Sequence, residues 1–260
     1  MTFYQAGSIK YYQFHSLEKP GIYHAVFTRH GGVSPDPWKS LNFGASVGDD
    51  PERVKINRET ALATIGIYPE QVYDVYQVHS TEIVVTDRPL GKNEPHIKAD
   101  GIITHKKSVT LMMRFADCVP ILLFDPVKHI IGITHAGWAG TVQKIAAQVV
   151  KKMVQNYGTL PDDIIAAIGP SIGPDHYAVR NDVVEQVKMS FREKTDQLIF
   201  SKNGKTYFNL WEANRDVLNA VGVNLVEISG ICTQCNLADW YSHRGEHGKT
   251  GRFGAIIGIS

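Results

Sequence analysis

Cysteine is scarce in this chain. Three Cys in 260 residues, at 118, 232 and 235, are an odd count without framework spacing. That excludes a disulfide-stapled scaffold and fits a reducing cytoplasm. No apolar run approaches the ~18 residues a spanning helix needs. The start, MTFYQAGSIKYYQF, lacks the basic-then-apolar order of a signal peptide. Charge of one sign is missing as well. Lys+Arg 27 against Asp+Glu 26 leave a formal net charge of +1, so nothing suggests a nucleic-acid or membrane surface. There are no repeats, no low-complexity segments and no convincing linker. Strand and helix signals do not alternate regularly, which argues against a Rossmann or barrel fold. The expectation is a cytoplasmic α+β protein: one domain, 1–260, of mixed β-sheets with flanking helices.

What is present is organised around Ala116 to Gly140, ADCVPILLFDPVKHIIGITHAGWAG. VPILLFD and HIIGITHA are short apolar runs joined by turn residues, the pattern of a hairpin. Cys118 and His135 are 135 − 118 = 17 residues apart, and such a pairing brings them together at one sheet edge. His79 closes another strand pattern, Val72 to Ser80, which should pair with Ile83 to Asp87. His, Cys and His form a three-ligand zinc set with an open fourth position, the mark of a catalytic site. A metal-free alternative uses the same residues, with Cys118 as nucleophile and His135 as base.

Other candidates surround this triad. Asp117 precedes Cys118 and reads as a hydrogen-bond acceptor for a ligand histidine or as a proton carrier. Gln77 shares a face with His79 if the strand persists, and could read a substrate amide or base edge. Arg29 enters a Gly/Pro/Ser-rich loop, 29–44, that also carries Asn42; a guanidinium beside Gly31-Gly32 suits phosphate. Arg244 lies in a polar loop before the last strand. Cys232 and Cys235 form a lone CxxC; without a second pair, a zinc site made of four cysteines is excluded. Asp50-Pro51 should start a helix, and apolar spacing predicts another over Thr141 to Tyr157, stopped by Gly158.

With these residues in view, the chain resembles the multicopper polyphenol oxidase (laccase) domain family, understood as zinc-associated purine nucleoside phosphorylases. The matching motifs are TRHGGVS (28–34), SLNFG (40–44), VGDDPERVKINR (47–58), QVHS (77–80), ADG (99–101), ADCVPILLFDP (116–126), HAGWAG (135–140), AIGPSIGPDHYAV (167–179) and CT…WYSHRGEHGKTGR (232–252). The chain departs from the family pattern at Ala139 and at His243-Arg244, where the family usually carries arginine. The resemblance implies a cytotoxic necrotizing factor/YfiH-like, cysteine hydrolase-type fold. It implies metal binding by His79, Cys118 and His135, with zinc as the ion and copper as the alternative. The candidate substrate contacts are Arg29, Asn42, Gln77 and Arg244, and a homodimer is the assembly to test. The implied reactions are phosphorolysis of adenosine, inosine and 5′-methylthioadenosine to free base and ribose 1-phosphate, with adenosine deamination beside it. A true laccase would need many histidines in His-x-His pairs, and the eleven His here include none.

Overall fold

The computed structural model describes residues 2–260. Two six-stranded sheets form the body. The first runs in the order Thr2–Ala6, Ile9–Gln13, Ile22–Phe27, Phe253–Ile259, Thr110–Phe115, Val72–Tyr73. All its pairs are antiparallel except the last. The second runs Leu225–Ile228, Ile165–Ile168, Val119–Asp125, Ile130–Ala136, Gly101–Thr104, Ile83–Val85. It is antiparallel in the middle and parallel at both ends. A three-stranded sheet of Ala178–Val179, Lys205–Phe208 and Ile199–Lys202 sits beside it.

The central strands are apolar on both faces because both faces are covered. In Val119–Asp125 every residue is buried. Leu122 and Phe124 face the first sheet and join Leu111, Met113 and Ile257 in a core between the sheets. Ile121 and Leu123 face the other way, onto Ala146, Val149, Val150 and Val217 of the helices Ile145–Tyr157 and Leu210–Asn219. The outer face of the first sheet takes Ala61 and Leu62 of helix Pro51–Thr64 against Met112 and Ile256. The layers are therefore helix, sheet, sheet, helices, in keeping with the α+β expectation. No helix among the described residues is long and apolar enough to cross a membrane.

Local signals fared unevenly. The Asp50 cap is formed, its side chain accepting from Glu52 N–H at 2.9 Å. The helix over 141–157 is broken instead. A five-residue helix, Trp138–Val142, ends before Lys144, which takes a left-handed φ of 61° and starts Ile145–Tyr157 anew. The strand over 72–80 stops at Tyr73. Beyond it the Gln77 amide donates to the Arg114 carbonyl at 2.8 Å and accepts from Arg114 N–H at 2.9 Å. A side chain thus does the work of the backbone ladder at this point, and the expected alternation is not kept: residues 72–75 are all buried, while Tyr76, Val78 and His79 are exposed. Ile83–Val85 does not pair with Val72–Tyr73; it joins Gly101–Thr104 in the other sheet.

One buried histidine gives the fold a pH limit. His24 is 2% exposed, and its Nε2 accepts from Phe14 N–H at 2.8 Å. Burial holds its pKa down at about 4, against an ordinary 6.5. The unfolded chain takes the proton first, so the neutral-state stability is complete above pH 6.5 and is lost as pH falls from there to about 4. The difference is worth about 3 kcal/mol. Denaturant titrations across this window should show parent stability falling toward that of His24→Gln, which keeps an acceptor but cannot titrate. Parallel pH profiles for the two proteins would refute the assignment.

Candidate metal centre and active site

The hairpin expected from the apolar runs is formed. Val119 faces Ala136 and Pro120 faces His135, so Cys118, one residue earlier, lies beside His135. Both strands are central in their sheet. The thiol and imidazole therefore meet at a strand end, not at a sheet edge. His79 arrives from a turn at a φ of 60°, in the left-handed region that non-glycine residues seldom adopt. Its Nε2 stands 3.8 Å from Cys118 Sγ, and one donor atom from each of the three residues lies within 4.8 Å of the others. Gly137 closes the group: a Cβ there would sit 3.0 Å from Cys118 Sγ and 3.1 Å from His79 Cδ2.

One carboxylate assembles the cluster. Asp100 is fully buried. Its Oδ1 takes His135 Nδ1 at 2.9 Å. Its Oδ2 accepts from Ser80 N–H at 2.6 Å, Ser80 Oγ at 2.9 Å and Val78 N–H at 3.2 Å. One oxygen orients the His135 ring, and the other holds the turn that carries His79. With Nδ1 occupied, His135 presents Nε2 as its free donor. Burial would raise the Asp100 pKa, but these bonds and the His135 charge carry it down to about 2.

The same field acts on the pair it orients. Burial would push the Cys118 thiol up, yet the charge on His135 and hydrogen bonds from both histidines bring it down to about 6. Burial would lower His135, while the Cys118 thiolate and Asp100 outweigh it and raise it to about 9. Two imidazoles and a readily formed thiolate are a fit donor set for a divalent metal.

The cluster lies in a cavity of about 400 Å³, within the usual range for small-molecule sites. Tyr76, Tyr177, His243, Arg244 and Arg252 also line it. Two larger grooves, of about 820 and 840 Å³, lie elsewhere and contain none of the three donors. Arg244 packs its guanidinium 5.3 Å from the centre of the Tyr177 ring and donates one bond, from Nη1 to Ala178 O at 2.9 Å.

The remaining sequence candidates divide. Asp117 lines the cavity, but its carboxylate accepts from Thr233 Oγ1, Ser242 Oγ and Arg244 N–H at 2.6–2.7 Å. The histidine partner is Asp100, not Asp117. Gln77 lines the cavity with its amide engaged on Arg114. Arg29 and Asn42 are not in the lining. Arg29 lies over the Tyr241 ring and donates to Lys39 O, Leu237 O and Glu246 Oε1. Asn42 is fully buried and ties Asp49, Gly44 and Arg252 N–H together. Sequence reasoning gave Asp100 no role of its own. Its one signal was an aspartate just before an apolar strand, inside ADG. Tyr177 gave no signal beyond its place in a motif.

Comparison with known proteins places this geometry. The profile of the family described as multi-copper polyphenol oxidoreductase laccase matches residues 23–260. The purine nucleoside phosphorylase YlmD of Bacillus subtilis is 37% identical over 242 residues, covering 89% of this chain and 86% of that one. The adenosine deaminase RL5, from an unknown prokaryotic organism, is 35% identical, covering 85% of this chain and 87% of its own. Among solved structures, the hypothetical protein YfiH of Bacillus licheniformis superposes with a TM-score of 0.91 at 32% identity, over 99% of both chains. Motifs, fold and donor cluster agree: the chain belongs to the multi-copper polyphenol oxidoreductase laccase family.

Proposed function

We propose that this single-domain chain is a zinc-dependent purine nucleoside phosphorylase with adenosine deaminase activity. Its substrates in this reading are adenosine, inosine and 5′-methylthioadenosine. One observation carries the proposal: three metal donors stand on the wall of a nucleoside-sized cavity whose rim is cationic. The relatives named as phosphorylase and as deaminase support the same pair of reactions.

The donors favour zinc over copper. Two His and one Cys also occur at blue-copper sites, which add a weak axial Met, Gln or carbonyl. No Met lines this cavity, and the Gln77 amide is engaged on Arg114. When bound, zinc would supply a Lewis acid and a water whose pKa is lowered to about 7. Asp100 fixes the His135 tautomer and the His79 turn, so the donors are set before any ligand arrives. Tyr76, exposed on the cavity wall, offers a ring face to a purine. Arg244 and Arg252 supply positive charge for phosphate, with Arg244 keeping unpaired N–H groups for the purpose. Asp117 acts as a positioning residue, holding the Arg244 loop against the strand end that carries Cys118.

A second reading rests on one specific arrangement. Cys118, His135 and Asp100 stand as nucleophile, base and orienting carboxylate, the constellation of a metal-free cysteine hydrolase. Metal content separates the two. Cys118→Ala should hold one zinc fewer per chain than the parent and lose phosphorolysis. A parent that is fully active after exhaustive chelation would favour the hydrolase.

Asp100→Asn tests the orienting role. Loss of such a partner costs about 10–100-fold in metal affinity or activity. Competition with a chromophoric chelator should read a weakening of that size, and unchanged affinity would remove Asp100 from the account.

The reaction itself is tested by its phosphate dependence. Adenosine with phosphate should yield adenine and ribose 1-phosphate, with some inosine. Base release that ignores phosphate would make the enzyme a hydrolase. Arg244→Ala should raise the KM for phosphate about tenfold or more, since a hydrogen bond to a charged group is worth about 1.5–3 kcal/mol. Deamination needs no phosphate and should survive. Equal loss of both reactions would place the anion elsewhere.

A further inference from the structure

A second group of metal donors lies outside the cavity. His176 Nδ1 is 3.5 Å from Cys235 Sγ and 3.8 Å from Cys232 Sγ, and the three donor atoms all lie within 4.8 Å of one another. Asp175 Oδ1 is 2.9 Å from His176 Nδ1. We propose that His176, Cys232 and Cys235 bind a thiophilic divalent cation, zinc by preference, with the Asp175 carboxylate as the fourth donor.

The spacing suits one ion. Zinc bonds of ~2.3 Å to sulfur and ~2.0 Å to nitrogen, set tetrahedrally, hold N and S roughly 3.5 Å apart. Cys232-x-x-Cys235 is the knuckle spacing common in zinc sites. The backbone is shaped to match. Gly173 N–H donates to Cys232 Sγ at 3.1 Å, which fixes the sulfur in place. Glycine is needed for that approach, because a Cβ at 173 would stand 3.0 Å from Asp175 Oδ1 and 3.1 Å from Cys232 Sγ. Cys232 is buried, His176 half-buried and Cys235 exposed, so the ion would sit just under the surface with access from solvent.

The site joins two arms of the catalytic cavity. Residues 171 and 232 already form a parallel bridge, and Thr233 N–H donates to Ser171 O at 3.0 Å. Tyr177 follows His176 and carries the Arg244 guanidinium. Thr233 follows Cys232 and holds Asp117 Oδ1 at 2.7 Å. An ion here clips the loop before Ala178–Val179 to the loop that supplies Arg244.

The test is metal counting on reduced protein, loaded with zinc, desalted and measured by plasma mass spectrometry. Cys118→Ala, which empties the catalytic cluster, should keep one zinc per chain. Cys232→Ser with Cys235→Ser should hold one zinc fewer than the parent, and the triple variant none. His176→Asn serves if the serine pair does not fold. Cobalt-loaded Cys118→Ala should show a thiolate charge-transfer band that disappears with Cys235→Ser. A metal-free Cys118→Ala, a serine pair with the parent's stoichiometry, or a Cys232–Cys235 disulfide persisting under reductant would each overturn the inference. One zinc on both parent and Cys118→Ala would uphold it while removing the metal from the catalytic cluster.

Discussion

The His135–Asp100 contact is the interaction on which the site depends. Asp100 is buried and ionised, a state tolerated only because both its oxygens are taken by donors. One oxygen reaches across the second sheet to a strand that is rigid on both faces. The other reaches a turn that no strand supports. The carboxylate therefore transfers the order of a packed sheet to an irregular segment. His79, exposed and at positive φ, has no other anchor of comparable strength. Removing Asp100 would leave Cys118 and His135 paired by the hairpin, but would free the third donor.

The opposite wall is built differently. It comes from the loop between Leu225–Ile228 and Phe253–Ile259, which buries Trp240 and Tyr241 in the core between the sheets and is tied at its surface by polar bonds. Asp117 gathers Thr233, Ser242 and the Arg244 backbone. Glu246 gathers Arg29, Ser242 N–H and Thr250. Asp117 adjoins Cys118, so the metal wall and the cationic wall share a joint one residue wide. This explains why Arg29, though placed near a glycine-rich loop by sequence, is a strut. Its Nη1 holds the loop that presents Arg244, through Leu237 O and Glu246 Oε1, and its Nε holds Lys39 O.

What the sequence made legible follows from this division. The hairpin could be read because a strand buried on both faces is apolar without interruption, as in Val119–Asp125. The metal donors could be read because they sit at its end or resemble a known motif. The break at Lys144 could not, since the apolar period runs through it and lysine carries no preference for a left-handed φ. The strand read over 72–80 stops at Tyr73, because beyond it the segment is held by single contacts such as the Gln77 amide on the Arg114 backbone and not by a continuous ladder. Asp100 and Glu246 were overlooked for a common reason. Each acts through several long-range bonds, and one sequence does not show which distant N–H groups will need an acceptor.

The two donor clusters differ in a way that bears on their roles. His79, Cys118 and His135 open onto a cavity, and their supporting carboxylate sits behind them, where it cannot act as a ligand without releasing His135. His176, Cys232 and Cys235 have the Asp175 carboxylate 2.9 Å from His176 Nδ1, and in the proposed site it would swing in as the fourth donor. An open three-donor site exchanges its fourth ligand and suits chemistry, whereas a closed four-donor site resists exchange and suits cross-linking. The loops joined by the second cluster are those that carry Tyr177 and Arg244, which no regular element holds. Under the proposed function this wall binds an anion, and such a clip would brace its surface portion, where polar contacts compete with water. The His79–Cys118–His135 cluster draws its rigidity from a sheet; the loop facing it would draw its own from coordination.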